Sequence, residues 1–256
     1  MTRIAVLHPG QMGASVGRAL AGAGHDVGWL PAGRSAPTAR RAAAAGLRPL
    51  ADLAGVDVVL SVCPPAAALD TARDLAGFAG CYVDANAISP GRAAEVAGVV
   101  RARGSGYVDG GIVGPPPDRP GTTRLFLSGE QAGDVAGLFD GTTVEAVVLP
   151  GGELAASALK MAYAAWSKTT AALLISIRAV ARDLGVEDAL VAEWARSQPG
   201  LAERSEAALG AAREKGWRWD EELRQVAATF AAAGEPAGFG EAAAAQFSRW
   251  PRPEDG

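Results

Sequence analysis

The sequence predicts an α/β chain in two parts: a doubly wound parallel sheet over residues 1–151, then an all-helical domain over residues 152–256. Three observations predict it. The run Arg3-Ile-Ala-Val-Leu-His-Pro-Gly-Gln-Met-Gly-Ala-Ser-Val-Gly17 reads as a buried strand that turns through a glycine-rich loop straight into a helix. Short runs rich in Val, Leu and Ile alternate with helix-period segments up to Leu149, which is the pattern of a sheet covered on both faces. From Glu153 onward the strand signal disappears and an alanine-rich helical pattern takes over.

The strands expected in order are Ile4 to Leu7, Asp26 to Leu30, Val56 to Cys63, Cys81 to Ala85, Gly106 to Gly110, Thr123 to Ser128 and Val144 to Leu149. Between them fall helices at Met12 to Gly24, Pro37 to Ala45, Ala66 to Phe78, Pro90 to Gly104 and Gln131 to Phe139. Pro150-Gly151-Gly152 closes the sheet domain. The segment Tyr107 to Thr123 reads as a strand end followed by a long Gly/Pro loop, the type of segment that lines a site. Beyond it, one helix from Glu153 to Leu184 would be roughly 50 Å long at 1.5 Å per residue, stopped by Gly185. Four helices follow, at about Glu187 to Ser197, Leu201 to Lys215, Asp220 to Ala233 and Phe239 to Arg249. They look too few to cover Leu154, Met161, Trp166, Leu173, Leu174 and Ile177, so the expectation is a homodimer through the helix 153–184.

Composition narrows the function. With 256 residues and 49% hydrophobic content the chain buries a substantial core, and a net charge of -4 without any basic run argues against nucleic acid or an anionic membrane as partner. A small molecule is the expected partner. The two cysteines, Cys63 and Cys81, read as small apolar core residues, not as a disulfide framework or a zinc cluster. No basic-then-apolar leader precedes Ile4, and the long helix carries charges too often to cross a bilayer, so a cytoplasmic protein is expected.

The chemistry starts at the loop. Gly10 lets backbone come close to phosphates, Gly13 lets the helix start pack on the strand, and the helix N-terminus offers N–H groups to negative charge. His8 stands where the first glycine of G-x-G-x-x-G is usual. After the second strand, where an acid would bind the ribose of NAD, the chain has Gly33-Arg34-Ser35; an arginine there suits a 2′-phosphate, with Arg40 as a further candidate. Cys63, Pro64 and Asn86 end strands at the carboxyl edge of the sheet, where ligands of open α/β folds collect. Arg119 reads as a solvated loop arginine or a carboxylate clamp. On the long helix Ser157, Lys160, Tyr163, Ala164 and Ser167 share one face, which places a lysine and a tyrosine together in an apolar helix.

These motifs, in this order, resemble the 6-phosphogluconate dehydrogenase-like, or β-hydroxyacid dehydrogenase, superfamily over essentially the whole chain. Leu7-His-Pro-Gly-Gln-Met-Gly13 resembles its G-L-G-x-M-G loop, and Gly33-Arg34-Ser35 the N-R-[ST] of its NADP-using members. Asp109-Gly-Gly-Ile-Val-Gly114 stands where it has D-A-P-V-S-G, and Gly121 to Gly129 where it has G-[TA]-L-x-[IF]-M-x-G-G. Gly152-Glu-Leu-Ala-Ala-Ser-Ala-Leu-Lys160 is similar to the segment ending in its catalytic lysine. The start of the chain, Trp217-Arg218-Trp219 and the tail around Phe239 resemble a subgroup with an uncharacterised phosphogluconate-dehydrogenase-like C-terminal domain.

The resemblance implies a Rossmann-type domain, a dimerising helical domain and NADP held by Gly10, Gln11, Met12, Gly13, Arg34, Ser35, Cys63, Pro64 and Asn86. It implies substrate beside Gly111, Val113, Gly114 and Ala164, in the cleft between domains, and catalysis by Lys160 with Tyr163. Three positions depart from the pattern. Val113 replaces a serine, Ala164 an asparagine, and Asp220-Glu-Glu222 a lysine-aspartate pair. The expected activity is hydride transfer between nicotinamide and a small carbonyl or hydroxy compound. The alternatives are an imine reductase on the same fold and a non-catalytic NADPH-binding dimer.

Overall fold

A computed structural model of the chain describes residues 1–75 and 77–251. They divide into two compact units, Met1–Lys160 and Met161–Gly256. The division by contact falls nine residues beyond the Pro-Gly-Gly punctuation at which the sequence suggests a boundary.

The first unit is built on an eight-stranded sheet: β1 (Arg3–Leu7), β2 (Asp26–Trp29), β3 (Arg48–Pro49), β4 (Val58–Ser61), β5 (Cys81–Asp84), β6 (Gly106–Val113), β7 (Thr123–Ser128) and β8 (Val144–Val148). Their spatial order is β3-β2-β1-β4-β5-β6-β7-β8. From β3 to β6 every pairing is parallel; β7 runs antiparallel to β6 and parallel to β8. The order reverses between β1 and β4, and at such a switch point a crevice opens outside the carboxyl ends of the strands.

Five helices alternate with these strands: α1 (Gln11–Gly22), α2 (Ala36–Ala44), α3 (Ala68–Arg73), α4 (Pro90–Arg101) and α5 (Ala132–Gly137). The strand residues alternate between two buried clusters. Ile4, Val6, Val58 and Leu60 pack with Val16, Leu20 and Phe139, whereas Ala5, Leu7, Val59 and Tyr82 pack with Phe78, Val96 and Val100. This doubly covered sheet explains the near-continuous apolar runs of β1 and β4. Pro at the start of α2 and α4, after capping serines Ser35 and Ser89, starts those helices cleanly.

Several expectations change. The two-residue β3 is new; both its residues are exposed, so it has no burial pattern to read. The strand expected over Gly106 to Gly110 continues to Val113, because β7 pairs with it from Asp109 to Val113. Gly111 and Val113 therefore sit in a strand and not in the loop, which begins at Gly114 (φ 121°). The helix expected over 66–78 shortens to a 3-10 turn at Pro65–Ala67 and α3, and residue 76 lies outside the described residues.

The helix expected from Glu153 to Leu184 is interrupted. It comprises α6 (Ala155–Ala164), a π-helical turn at Ala165–Thr169 and α7 (Thr170–Asp183). In the second unit α7 is followed by α8 (Glu187–Ser197), α9 (Leu201–Lys215), α10 (Trp219–Ala232) and α11 (Gly238–Phe247). Ala172, Ile175, Ala212, Leu223, Ala243, Ala244 and Phe247 form its core, and Trp219 meets the Phe247 ring edge-on at 4.8 Å. Lys168, on the π-helical turn, pairs with the buried Glu222.

Of the six apolar residues expected to need a second chain, Met161 and Leu174 are buried within this one, and Leu154 packs partly against the first unit's core. Trp166 and Leu173 remain exposed. No helix among the described residues is long and apolar enough to cross a membrane.

Candidate functional site

The β1–α1 loop lies at the switch point. Helix geometry leaves the first N–H groups of α1, at Gln11, Met12 and Gly13, without intrahelical acceptors, and no side chain caps them. A Cβ on Gly13 would stand 2.9 Å from the His8 carbonyl oxygen and 3.4 Å from Val6 Cγ1, so glycine is needed for strand and helix to meet. Gly10 is different. Its φ of -68° suits any residue, and a Cβ there would touch nothing nearer than 3.9 Å. No neighbour in the chain requires glycine at position 10, and the space a side chain would fill lies over the helix N-terminus, where an anion binds.

Two side chains bring unpartnered polar atoms to this place. Arg34 leaves the turn after β2 through Gly33 (φ 71°), and its Nε is buried with no hydrogen-bond partner. Burial holds its guanidinium below the usual arginine range, against the opposing influence of Cys63 and Asp74. His8 is the one non-glycine residue with positive φ among the described residues (59°), and its buried Nδ1 also has no partner. Burial first, and then the Arg34 charge, push its imidazole down to about 4. Together these residues can hold a phosphate oxyanion. The Ser35 hydroxyl accepts from Thr38 N as the cap of α2. Arg40 is exposed.

A row of buried polar residues crosses the carboxyl end of the sheet. Ser61, Asp84, Asp109 and Ser128 are register partners on β4, β5, β6 and β7, each no more than 1% exposed. The tripeptide Tyr-Val-Asp occurs twice, at 82–84 and 107–109, and the two copies pair residue for residue. That repeat is the signal by which the sequence could have revealed the carboxylate pair.

Asp84 receives Asn86 Nδ2 at 2.6 Å, Asn86 N at 3.2 Å and the Tyr107 hydroxyl at 3.2 Å. Burial pushes its carboxyl up to about 7, Asp109 adds to the rise, and those hydrogen bonds oppose it. Asn86, expected to contact a cofactor, makes hydrogen bonds within the chain. Its Nδ2 also donates to Ser61 Oγ at 3.0 Å, and its Oδ1 accepts from Cys63 N at 2.6 Å, so the amide ties the end of β4 to the end of β5. Cys63 is positioned by that bond; burial pushes its thiol, like that of Cys81, up to about 11, which fits an inert core role. Pro64 is exposed beside it.

Asp109 holds α6. It accepts from Ser157 N at 2.7 Å and Ser157 Oγ at 2.5 Å, while Ser128 Oγ accepts from Ala156 N at 3.0 Å, so β6 and β7 together cap the helix. Gly111 allows this contact, because a Cβ there would lie 2.8 Å from the Ala156 carbonyl oxygen and 3.0 Å from Lys160 Cβ. Lys160, on that helix, donates from Nζ to the Ile112 carbonyl at 2.9 Å. An ammonium is thus fixed over the end of β6. Val113 is buried and offers no polar atom, and Gly114 turns the chain where a Cβ would collide with the Thr122 carbonyl.

Tyr163 and Ala164 belong to the second unit. Tyr163 is 48% exposed, and Ala164 is buried. Arg119 is exposed in its loop. Among the described residues no group of three or more His, Cys, Asp or Glu side chains could hold a metal ion.

Solved structures share this fold. A conserved protein of unknown function, described as structurally similar to 3-hydroxyacid dehydrogenases, matches 96% of each chain at 24% identity and a TM-score of 0.74. The 3-hydroxyisobutyrate dehydrogenase of Mycobacterium tuberculosis, solved with L-serine, covers 97% of this chain and 93% of its own at 23% identity and a TM-score of 0.74. The chain has the β-hydroxyacid dehydrogenase fold. A reductive aminase from Aspergillus terreus, solved with NADPH and ethyl levulinate, shares this hydroxyacid dehydrogenase fold at 19% identity and a TM-score of 0.60, covering 97% of this chain and 93% of its own. The family described as a domain of unknown function (DUF1932) matches residues 181–250, within the helical unit. A comparison with curated protein sequences finds no match.

The buried carboxylate gives this hydroxyacid dehydrogenase fold a pH signature. Asp84 is raised from 3.8 to about 7, so between those values the folded chain holds a proton that the unfolded chain has lost. Its contribution is fully present below pH 3.8 and is lost as pH rises through 7. From Asp84 alone, stability should fall between pH 5 and pH 7 by up to about 1.4 kcal/mol per pH unit, against an opposite slope from His8, whose lowered imidazole favours folding as pH rises toward 6.5. In Asp84→Asn, followed by differential scanning calorimetry, stability should rise relative to wild type as pH increases across that range; an unchanged pH profile would remove Asp84 as a contributor.

Proposed function

We propose that the chain is an NADP(H)-dependent oxidoreductase acting on a small carbonyl or hydroxy compound. The observation that carries this reading is the cradle after β1: an uncapped helix N-terminus, open space above Gly10 and the unpartnered Nε of Arg34 at one place. Relatives of the same fold solved with NADPH support the choice of cofactor. No acid stands in the turn after β2 to favour a ribose hydroxyl, and Arg34 offers a guanidinium for a 2′-phosphate.

The chain's part in the reaction is to bind, orient and carry a proton. The nicotinamide, when bound, donates or accepts the hydride. Gln11, Met12 and Gly13 would hold phosphate with their N–H groups, and Arg34 would select the phosphorylated ribose. Lys160, anchored on the Ile112 carbonyl, would hold a proton at Nζ for a developing alkoxide, or take one from a hydroxyl in the opposite direction. Tyr163 is the second candidate for that proton. Imine reduction is favoured by one specific feature: Val113 and Ala164 present no donor where the resemblance implies a serine and an asparagine to grip a hydroxyacid.

NADPH should bind at least tenfold more tightly than NADH, measured by quenching of the chain's six tryptophans. Arg34→Ala should lose about one to two orders of magnitude for NADPH alone, the scale of a charge-assisted pair. Equal affinities in the wild type would refute the assignment. A panel of ketones, aldehydes, hydroxyacids and imines, read at the NADPH absorbance band, separates carbonyl from imine chemistry and either from binding without turnover. On the best substrate Lys160→Met should keep NADPH affinity and lower turnover by about 10²–10⁴. Near-wild-type turnover would move the proton transfer to Tyr163 or to water.

A further inference from the structure

We propose that His8 is a phosphate-contacting residue of the β1–α1 loop, its imidazole Nδ1 donating to an oxyanion of the bound dinucleotide and gaining a proton as the ligand enters. This rests on the dinucleotide-binding reading above and adds to it a residue that the G-x-G-x-x-G pattern does not contain.

Two independent features single out His8. The first is the backbone. Position 8 has φ 59°, a conformation that glycine adopts freely and that other residues adopt uncommonly. The second is the side chain. Its Nδ1 is buried without a partner beside Arg34, whose Nε is in the same condition. A buried donor or acceptor left unsatisfied is costly, and two such atoms at one loop point to a missing partner common to both.

That partner is anionic. Arg34, from the turn after β2, is the charged group that acts on His8, and it opposes protonation of the ring. The first turn of α1 carries no acid. The Cys63 thiol, after β4, acts on Arg34, and burial keeps it in its neutral form at ordinary pH. Asp74, after α3, acts on Arg34. The loop therefore carries one cation, Arg34, beside a neutral imidazole. A phosphate oxyanion between them removes the repulsion, satisfies both nitrogens and returns the imidazole toward its ordinary range near 6.5. Binding and protonation are then linked, and affinity rises as pH falls through that range.

Calorimetric titration tests this with NADPH and with NADH, at pH 5.5, 6.5 and 7.5, in buffers of different protonation enthalpy. The proteins are the wild type, His8→Gly, which restores the residue most at ease at φ 59°, and His8→Asn, which also tolerates that conformation. The wild type should take up a fraction of a proton that both variants lack. The ratio of wild-type to variant affinity should grow about tenfold from pH 7.5 to pH 5.5, as expected for an imidazole moving from about 4 to about 6.5. The same excess with both dinucleotides places the contact on the diphosphate; an excess with NADPH alone places it on the 2′-phosphate. Equal proton uptake and equal pH slopes in wild type and variants would overturn the role of His8 while leaving the cofactor reading intact. If the wild type bound neither dinucleotide, both would fall.

Discussion

The site depends on one buried carboxylate. Asp109, in the middle of β6, accepts both the backbone N–H and the hydroxyl of Ser157 and so fixes the first turn of α6 against the sheet. Burial raises the pKa of its carboxyl; the hydrogen bonds from Ser157 and Ser128 act in the opposite direction. An unpaired carboxylate in this position would be strongly destabilising, but here helix N–H groups, which need acceptors in any case, supply the compensation. The consequence is positional. With α6 seated over Gly111, Lys160 reaches the Ile112 carbonyl, and its ammonium is held by backbone geometry.

The loop after β1 and the polar row are one system. The Cys63 N–H donates to Asn86, Asn86 donates to Asp84, and Asp84 is the register partner of Asp109. A chain of short hydrogen bonds and paired strands thus runs from the loop after β4, beside the cradle, to the cap of the lysine-bearing helix. Buried networks of this type are rigid when every member is satisfied. Among the described residues six buried side-chain atoms have no hydrogen-bond partner, and two of them, His8 Nδ1 and Arg34 Nε, lie together at the β1–α1 loop.

Much of the fold is legible in the sequence. Thr123–Ser128, Glu187–Ser197 and Leu201–Lys215 begin and end where their patterns do; positive-φ glycines lie beside them, Gly121 and Gly129 around the strand and Gly185 and Gly200 before the helices. The glycine loop and Arg34 are legible for the same reason, since strand, turn and helix follow one another within a few residues. What the sequence hides is long-range. Ser157 lies 48 residues from the carboxylate it binds, and Asn86, read as a ligand contact, spends its amide on Ser61, Cys63 and Asp84, two of them more than twenty residues away. The two-residue β3 and the π-helical turn at Ala165–Thr169 carry no periodic signature at all, and the strain at His8 exists only in its backbone angle.

Whether the loop from His8 to Gly13 and Arg34 receives a dinucleotide is decided by a crystal structure grown with NADPH. Diphosphate density is expected over the N–H groups of Gln11, Met12 and Gly13, with the 2′-phosphate against Arg34. Ordered cofactor bound elsewhere, or an empty loop at millimolar NADPH, would contradict it.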